Sequence, residues 1–307
     1  MEPTISIVIP THDRGELLVE AVESALAQAD DATELVVVDD RSTDGSVEQL
    51  ARFGNRVKVV RGSYGNAAAA RNAGTRATSG AYIAFLDSDD LMLKGKTTCL
   101  VREIESDPTI ALVHGTTEVI DTDGRVQRDA TAAQRAAFAE GIRRGTTYSA
   151  LAEFCAMFTS ATLIRRSSFT AAGGYDESLD AYEDWDLYLR LSLSGRLVYA
   201  DCLAARYRLW PGNVPWRSTA LWTVAVAERH LAHLTDVPSV ERARARSGFL
   251  RRLAESHHIL VNQRAARRSA LAAIGAAPAK ALRDRVVVQA LLLSLVPTRV
   301  LRGRRPN

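Results

Sequence analysis

Acidic residues directly follow short apolar segments in the first third of the chain. Residues 35–38 lead into Asp39 and Asp40, and residues 82–86 lead into the acidic segment 87–90. Open α/β sheets bind their ligands at the carboxyl ends of buried parallel strands. A carboxylate buried there is unfavourable unless a cation or hydrogen-bond donors compensate it. The pattern therefore predicts a ligand site at one edge of a sheet, with capping of the following helices as the alternative.

Strand-like and helical segments alternate along the first 86 residues. Strands are predicted at 5–9, 35–38, 57–60 and 82–86, and helices at 17–26, 42–50 and 67–77. This βαβαβαβ order predicts an α/β fold with a doubly wound, mainly parallel sheet. Later segments are predicted as strands at 110–114, 118–120, 161–164, 197–199 and 204–207, as a loop or short surface helix at 125–150, and as a helix near residue 184.

The C-terminal part of the chain differs from the rest in periodicity and in charge. Its pattern is helical, in three helices, which predicts one domain over residues 1–215 and a basic helical region over residues 216–307. From residue 240 onward there are 15 Arg or Lys against three acidic residues, whereas the first 239 residues hold 24 against 33. This asymmetry indicates an anionic surface as a partner. Nucleic acid is disfavoured because aromatic residues for base stacking are sparse there.

The end of the basic region resembles an interfacial membrane anchor. Residues 286–293 are its most apolar part, and four arginines follow, Arg299, Arg302, Arg304 and Arg305. Such an arrangement predicts peripheral association with an anionic membrane. Packing of the apolar stripes against one another or in a homodimer is the alternative.

Cysteine usage and hydropathy predict the compartment. Cys99, Cys155 and Cys202 are widely spaced and form no CxxC pair, so we expect neither a disulfide framework nor a zinc site, and a reducing environment. The first residues run into a strand rather than a signal peptide, and no apolar stretch reaches the roughly 18 residues of a membrane span. We expect a cytoplasmic protein, which the basic tail can bring to the inner face of the cell membrane.

Six motifs, taken in order, resemble those of the family-2 glycosyltransferases. They lie at residues 6–14, 36–46, 70–74, 85–90, 173–177 and 183–187. The resemblance covers roughly residues 4–210 and implies the GT-A fold, with a helical C-terminal extension. It also implies inverting transfer of one sugar from a nucleotide-diphosphate donor, UDP before dTDP or GDP, to a hydroxyl acceptor. That acceptor is a glycan, a lipid-linked saccharide or a small molecule.

The resemblance assigns a nucleotide pocket to the first strand ends and the helix that begins near residue 67. Its residues are Pro10, Thr11, Asp13, Arg14, Asp39, Asp40, Arg71, Asp87 and Ser88. A uracil-type base needs an acceptor for its ring N–H, the role implied for Asp40 or its neighbour Asp39. The planar fork of Arg71 suits a phosphate or a base carbonyl. Helix capping by Thr11 or Asp13, and a solvated helix face for Arg71, are the alternatives.

The segment Asp87-Ser88-Asp89 is a D-x-D element. By resemblance Asp89 ligates Mg²⁺ or Mn²⁺ between the two phosphates, and Asp87 contacts the ribose or the metal. The departing nucleoside diphosphate accumulates negative charge, which a bound dication neutralises as a Lewis acid. Asp90 caps the next segment. Relatives often carry a proline soon after, which residues 93–96 lack, so the path of that loop stays open.

The acids at residues 183–186 supply the candidate base. Inversion requires a base on the face opposite the leaving group, and by resemblance Asp184 is that base while Glu183 supports it or binds the acceptor. Stabilisation of a helix N-terminus by both acids is the alternative. The residues assigned to the donor sugar or acceptor are Gly173, Gly174, Tyr175 and Trp185. A helix-packing role is equally open for Trp185.

One position departs from the family pattern. Relatives carry a histidine near the metal after the last strand, and this chain has Trp210 there, which puts a third protein ligand in doubt. Arg208 or Asn213 would then contact the phosphates. Two other classes remain as alternatives. A nucleotidyltransferase would need a glycine-rich loop after the first strand, where only Gly15 lies, and a non-enzymatic binding module would leave the ordered acids unexplained.

Overall fold

The computed structural model describes residues 4–210 and 216–294. Their packing divides the chain into two compact units, one of residues 4–146 with 156–210 and one of residues 147–155 with 216–294. Asn213 and the four arginines from Arg299 to Arg305 lie outside the described residues. The boundary near residue 215 thus stays a prediction, but residues 147–155 group with the C-terminal helices.

The first unit opens with alternating strands and helices, as predicted. They are β1 (Ile5–Thr11), α1 (Glu16–Leu26), β2 (Thr33–Asp40), β3 (Lys58–Gly62), α2 (Ala67–Arg76) and β4 (Tyr82–Phe85). The helix predicted at 42–50 is instead a loop and a 3₁₀ helix, Glu48–Arg56. Its expected caps are used elsewhere, because Asp44 accepts hydrogen bonds from Ser46 and from the backbone N–H of Gly15.

The rest of the described chain up to residue 210 completes the sheet. Its elements are β5 (Leu91–Met92), α3 (Lys96–Glu105), β6 (Ile110–Ile120), α4 (Arg128–Arg144), α5 (Tyr148–Glu153), β7 (Thr162–Arg165), α6 (Arg166–Ala171), α7 (Glu183–Ser194) and β8 (Arg196–Arg208). The strands predicted at 110–114 and 118–120 form one long strand, β6, and those predicted at 197–199 and 204–207 form another, β8. Residues 128–144 form a helix of 17 residues rather than a loop or short helix.

One eight-stranded sheet is described, in the order β3-β2-β1-β4-β7-β6-β8-β5. Pairing is parallel from β3 through β4, β7 runs antiparallel to both β4 and β6, and β8 is parallel to β6. The α/β prediction is confirmed, and the parallel character holds for the first half of the sheet.

Burial explains why the first strands are recognisable in the sequence. All seven residues of β1 are buried, as are the last six of β2. Strands covered on both faces read as continuous apolar runs. The parallel register pairs Thr11 with Asp39 and Val8 with Phe85. The carboxyl ends of β1, β2 and β4 therefore meet at one edge of the sheet.

Cys99 in α3 and Cys202 in β8 are joined by a disulfide, with Cα atoms 6.8 Å apart. The expectation of no disulfide is wrong for this pair. The two cysteines are 103 residues apart, and the packing of α3 on β8 that brings them together has no signature in cysteine spacing. Cys155 takes no part in this disulfide.

The second unit is helical. Besides α5 it contains α8 (Trp216–Ala232), α9 (Ser239–Ile259), α10 (Gln263–Ala276), α11 (Pro278–Ala281) and α12 (Arg285–Leu293). Residues 216–294 alone thus form five helices, whereas three were predicted for the region. Among residues 4–210 and 216–294, every helix is too short or too polar to cross a bilayer.

Helix α5 is built into the helical unit by polar contacts. The Tyr148 hydroxyl lies 2.9 Å from Nδ1 of His230, and the backbone N–H of Ser149 donates to Glu241. Glu153 pairs with Arg244 and with a lysine of α11. Burial acts to raise the pKa of Glu153, but these cations outweigh it and hold the pKa below its ordinary value.

Candidate active site

The loops after β1 and β2 are bound to each other by side chain–backbone hydrogen bonds. The N–H of Thr43 donates to Asp13 at 2.6 Å, and the N–H of Asp13 donates to the Ser42 hydroxyl at 3.1 Å. The N–H of Gly15 donates to Asp44 at 2.7 Å. Asp13 has a positive φ of 47°, a conformation that aspartate tolerates better than most residues. Asp13 thus shapes the rim of the predicted nucleotide pocket.

Asp40 anchors the loop between β3 and α2. Its two carboxylate oxygens accept from the backbone N–H groups of Tyr64 and Gly65, each at 2.8 Å. Burial acts to raise the pKa of Asp40, but these N–H groups and Arg41 outweigh it and hold the pKa below its ordinary value. Asp40 is therefore an ionised acceptor at the end of β2.

Pro10 and Thr11 end β1 beside Asp39. Both are buried, and Asp39 accepts from the N–H of Ser42 at 2.8 Å. Thr11 is 4% exposed, and its hydroxyl has no hydrogen-bond partner among the described residues. A buried hydroxyl without a partner is uncommon. It leaves a donor and acceptor available for a ligand at this strand end.

Arg71 connects the D-x-D element to the start of α7. It donates 2.6 Å bonds to Asp87 and to Glu183, and its side chain is 5% exposed. Its guanidinium also lies over the ring of Tyr175, 5.2 Å from the centroid. The fork expected for a phosphate or base carbonyl is thus occupied by two carboxylates of the protein.

The Asp184 carboxylate contacts a backbone group, whereas those of Asp87 and Glu183 pair with the guanidinium of Arg71. The half-buried Asp184 carboxylate accepts from the N–H of Trp185 at 2.7 Å. Burial, reinforced by the charge of Glu183, raises the pKa of Asp184 to about 7. A carboxylate with such a pKa can accept a proton near neutral pH.

Trp185 itself is 2% exposed and meets Tyr182 edge to face, with ring centroids 5.9 Å apart. This burial favours helix packing over stacking on a sugar, the two roles left open by the sequence.

The acids of segment 87–90 lie in different environments. Asp87 and Asp89 keep 33% and 18% of their side chains exposed, whereas Asp90 is 2% exposed and Ser88 is also buried. Burial, reinforced by the charge of Asp87, raises the pKa of Asp89. Asp89 accepts from the indole N–H of Trp210 at 3.1 Å, and Arg14 lies 3.8 Å from the same oxygen.

Two residues that sequence reasoning did not single out, Ser160 and Lys96, fix the position of this segment. The Ser160 hydroxyl accepts from the N–H of Asp87 at 3.1 Å and donates to Asp90 at 2.6 Å. Lys96 is fully buried and donates to the Ser160 carbonyl at 2.7 Å. Burial lowers the pKa of Lys96 to about 7. Neither of these residues belongs to an acidic or glycine-rich motif, which is why the pattern missed them.

The third missed residue, Asn72, holds the loop at Gly174. Its side-chain oxygen accepts from the N–H of Tyr175 and its amide donates to the carbonyl of Tyr175, both at 2.9 Å. Gly173 and Gly174 have φ of 83° and 73°, and a Cβ at Gly174 would lie 2.8 Å from the Asn72 oxygen. The Tyr175 hydroxyl is buried without a partner among the described residues.

Arg208 is unavailable for phosphates, contrary to expectation. The residue is 2% exposed and donates to the backbone carbonyls of Asp89, Asp121 and Thr122 and to the carboxylate of Glu20. The Arg208 guanidinium is therefore engaged in hydrogen bonds that connect strands and loops of the protein.

The donor set at Asp87 and Asp89 fits a hard dication only in part. No group of three His, Cys, Asp or Glu side chains suited to a metal occurs in the part of the chain that the structure describes. One oxygen of Asp87 faces Arg71 and one of Asp89 faces Trp210. Mg²⁺ commonly uses one or two carboxylates plus substrate phosphates and water. The two remaining carboxylate oxygens fit that mode.

Comparison with known proteins identifies the family of the first unit. The model of the family "Glycosyl transferase family 2" matches residues 6–170. The chain is 30% identical over 202 residues to a chondroitin synthase of Pasteurella multocida, covering 65% of this chain and 20% of that protein. It is 34% identical over 128 residues to the glycosyltransferase GlyG of Streptococcus pneumoniae, covering 40% of this chain and 42% of that one. The chain thus spans less than half the length of these relatives.

Two solved structures share the fold. S. aureus TarS 1-349 in complex with UDP-GlcNAc aligns with a TM-score of 0.66 and 17% identity, over 100% of this chain and 93% of that one. The mannosyltransferase PcManGT from Pyrobaculum calidifontis, in complex with GDP-Man and Mn²⁺, aligns with a TM-score of 0.58 and 22% identity, over 99% and 84%. These likenesses confirm the predicted GT-A fold with C-terminal helices.

Proposed function

This chain belongs to glycosyl transferase family 2 and is a glycosyltransferase, and we propose that it moves one sugar from a UDP-sugar to a hydroxyl acceptor with inversion. The observation that carries the proposal is the bridge of Arg71 between Asp87 and Glu183. It joins the strand end expected to hold the diphosphate to the helix start expected to hold the base. A donor and an acceptor bound there would have their reacting atoms close together.

The choice of UDP rests on the strand ends of β1 and β2. Asp40 is an ionised acceptor, which suits the ring N–H of uracil, and Thr11 offers an unpartnered hydroxyl beside Asp39. TarS, with the same fold, is solved with UDP-GlcNAc, although PcManGT is solved with GDP-Man. Pro10 and Arg14 would complete the nucleotide pocket.

Asp184 is the proposed general base. In a single displacement the acceptor oxygen forms a bond to the anomeric carbon as the bond to the diphosphate breaks. The hydroxyl proton passes to the Asp184 carboxylate, whose pKa of about 7 suits proton acceptance. Glu183 is held by Arg71 and would fix the start of α7 or bind the acceptor rather than take the proton.

Asp87 and Asp89 are the proposed holders of Mg²⁺ or Mn²⁺. A dication held by them would neutralise the charge of the leaving diphosphate, and it would compensate the burial and the Asp87 charge that raise the pKa of Asp89. PcManGT, of the same fold, is solved with Mn²⁺. By the family resemblance, Asp87 would also contact the ribose.

An anionic membrane is the proposed peripheral partner of the helical unit. Helix α10 exposes Arg264, Arg267, Arg268 and the half-exposed Leu271 at spacings that fall on one face. A two-fold dimer through this face would bring the same arginines together, which is unfavourable. Anionic lipid headgroups complement the face, and the acceptor would then be lipid-linked.

A donor panel tests the function. The protein is incubated with Mn²⁺ and UDP-, dTDP- or GDP-sugars, and the released nucleoside diphosphate is measured with and without candidate hydroxyl acceptors. We expect acceptor-stimulated release of UDP, and a product whose anomeric configuration by NMR is opposite to that of the donor. Retention of configuration would exclude the single displacement, and binding of none of these donors would exclude the proposed pocket.

A further inference from the structure

Trp210 contacts the D-x-D element directly. Its indole N–H donates to one carboxylate oxygen of Asp89 at 3.1 Å, although the two residues are 121 positions apart. Indole nitrogen is a donor only, so it can neither ligate a cation nor accept a proton. Its effect on this site is therefore to hold the Asp89 carboxylate in one orientation.

The backbone before Trp210 is anchored to the same segment. The N–H of Arg208 donates to the Asp90 carboxylate at 2.9 Å, and the Arg208 guanidinium donates to the Asp89 carbonyl at 2.7 Å. The backbone position of Trp210 is therefore restrained by the anchored Arg208, two residues earlier in the chain. The Arg14 guanidinium also approaches this oxygen, but it is 3.8 Å away and 46% exposed, which makes it a weaker constraint than the indole N–H.

We propose that Trp210 is a positioning residue for cation binding. It holds one Asp89 oxygen and so presents the other toward the dication that accompanies the nucleotide. This inference rests on the proposed function, because it requires Asp89 to bind the dication. Hydrogen bonds to charged groups are the stronger class, and loss of this one is expected to weaken cation binding about tenfold.

The test compares Trp210→Phe with Trp222→Phe, a matched change in α8. Free Mn²⁺ is measured by its paramagnetic resonance signal in titrations with UDP present. We expect Mn²⁺ affinity about tenfold lower in W210F and unchanged in W222F. In turnover assays W210F should need more Mn²⁺ for half-activation yet recover its rate at saturating Mn²⁺. Metal-free UDP affinity and Tm should stay at the wild-type values, which a merely structural defect would not allow.

Tryptophan fluorescence gives an independent readout. Paramagnetic Mn²⁺ bound at Asp89 should quench the indole of Trp210, so Mn²⁺ should quench the wild type and W222F more than W210F, while Mg²⁺ quenches none of them.

The failures are distinguishable. Equal Mn²⁺ affinity in W210F and the wild type, with loss of affinity in Asp89→Asn, would overturn the role of Trp210 and leave the metal assignment intact. Equal affinity in D89N and the wild type would overturn the metal assignment and this inference together.

Discussion

Identical side chains at the candidate site differ in protonation because their neighbours differ. Backbone N–H groups and Arg41 keep the pKa of Asp40 low, whereas burial raises the pKa of Asp90 well above its ordinary value. Burial, reinforced by the charge of Glu183, raises the pKa of Asp184 to about 7. Three aspartates that look alike in the sequence therefore serve as an ionised anchor, a buried acceptor and a candidate base.

Replacement of the candidate base separates chemistry from binding. Asp184→Asn should lower kcat by about 10²–10⁴-fold. Affinity for UDP should stay near the wild-type value, because a base acts in the transition state. Single-turnover rates and UDP titrations measure the two effects. A variant impaired only in KM would move the base elsewhere, with Glu183→Gln the next variant to examine.

The pH dependence follows from the same residue. Only the deprotonated carboxylate accepts the proton, so kcat/KM should rise with pH through about 7, the pKa of Asp184. The pKa of Asp184 is higher in the folded state than in the unfolded state, so the folded state binds this proton more tightly. The contribution of Asp184 to the free energy of unfolding therefore falls as pH rises toward 7. Asp184→Asn removes this loss of stability, because Asn does not ionise. Thermal melts at pH 5 and pH 8 should show D184N gaining stability over the wild type at the higher pH.

Asp89 and Asp90 are neighbours with separable roles. Asp89→Asn should abolish detectable Mn²⁺ binding and lower turnover by several orders of magnitude with little change in Tm, because Asp89 is partly exposed and holds the proposed cation. Asp90→Asn should lower Tm, because Ser160 and the N–H of Arg208 donate to different oxygens of Asp90 and Asn keeps only one of them. Normal turnover of D89N after EDTA treatment would contradict the metal assignment.

Elements buried on both faces were predictable, and elements defined by long-range contacts were not. β1, β2 and β4 appear in the sequence as apolar runs because their residues are buried on both faces of the sheet. β6 reads as two segments because a glycine and two threonines lie in its middle, where its pairing with β8 is irregular.

The same distinction holds at the site. Asp40, Asp89 and Asp184 belong to motifs and could be proposed from the sequence, though their partners could not. Ser160 and Asn72 act through hydrogen bonds to residues 70 to 105 positions away, which no local pattern encodes.

The conformation of the loop between α6 and α7 is expected to tolerate substitution at Gly173 better than at Gly174. Gly173→Ala and Gly174→Ala both place alanine at a positive φ, but only at Gly174 would the new Cβ crowd the Asn72 oxygen. We expect G174A to lower kcat/KM at least tenfold more than G173A, because the loop packs beside the candidate base. Gly54→Ala, at φ 58° with open space, controls for backbone strain. Equal activity of G173A and G174A would contradict the role of this packing.

At the scale of the whole molecule, net charge differs along the chain: residues from 240 onward are strongly basic, whereas the preceding residues carry an excess of acids. Arg264→Gln, Arg267→Gln and Arg268→Gln together should weaken co-sedimentation with phosphatidylglycerol vesicles at low salt, since each basic residue contributes about 1 kcal/mol near an anionic leaflet. The matched control neutralises three exposed arginines of the first unit, Arg56, Arg102 and Arg135. Added salt should reduce wild-type binding.

A second variant ends after residue 294. It measures how much the arginines beyond that residue contribute to vesicle binding, and it keeps α12, whose Val287 and Ala290 are buried. Identical binding of the wild type and both variants would retire the membrane proposal and favour a soluble acceptor.

The placement of α5 has a consequence for how such a chain can be inherited. Tyr148, Ser149 and Glu153 find their partners on α8, α9 and α11, all encoded after residue 215. A recombination event near residue 215 would join α5 from one parent to helices from another. Helices without cations at the places of Arg244 and Lys280 would then leave Glu153 a buried, unpaired charge. An exchange of the C-terminal helices is therefore expected to preserve stability only when residues 147–155 are exchanged with them.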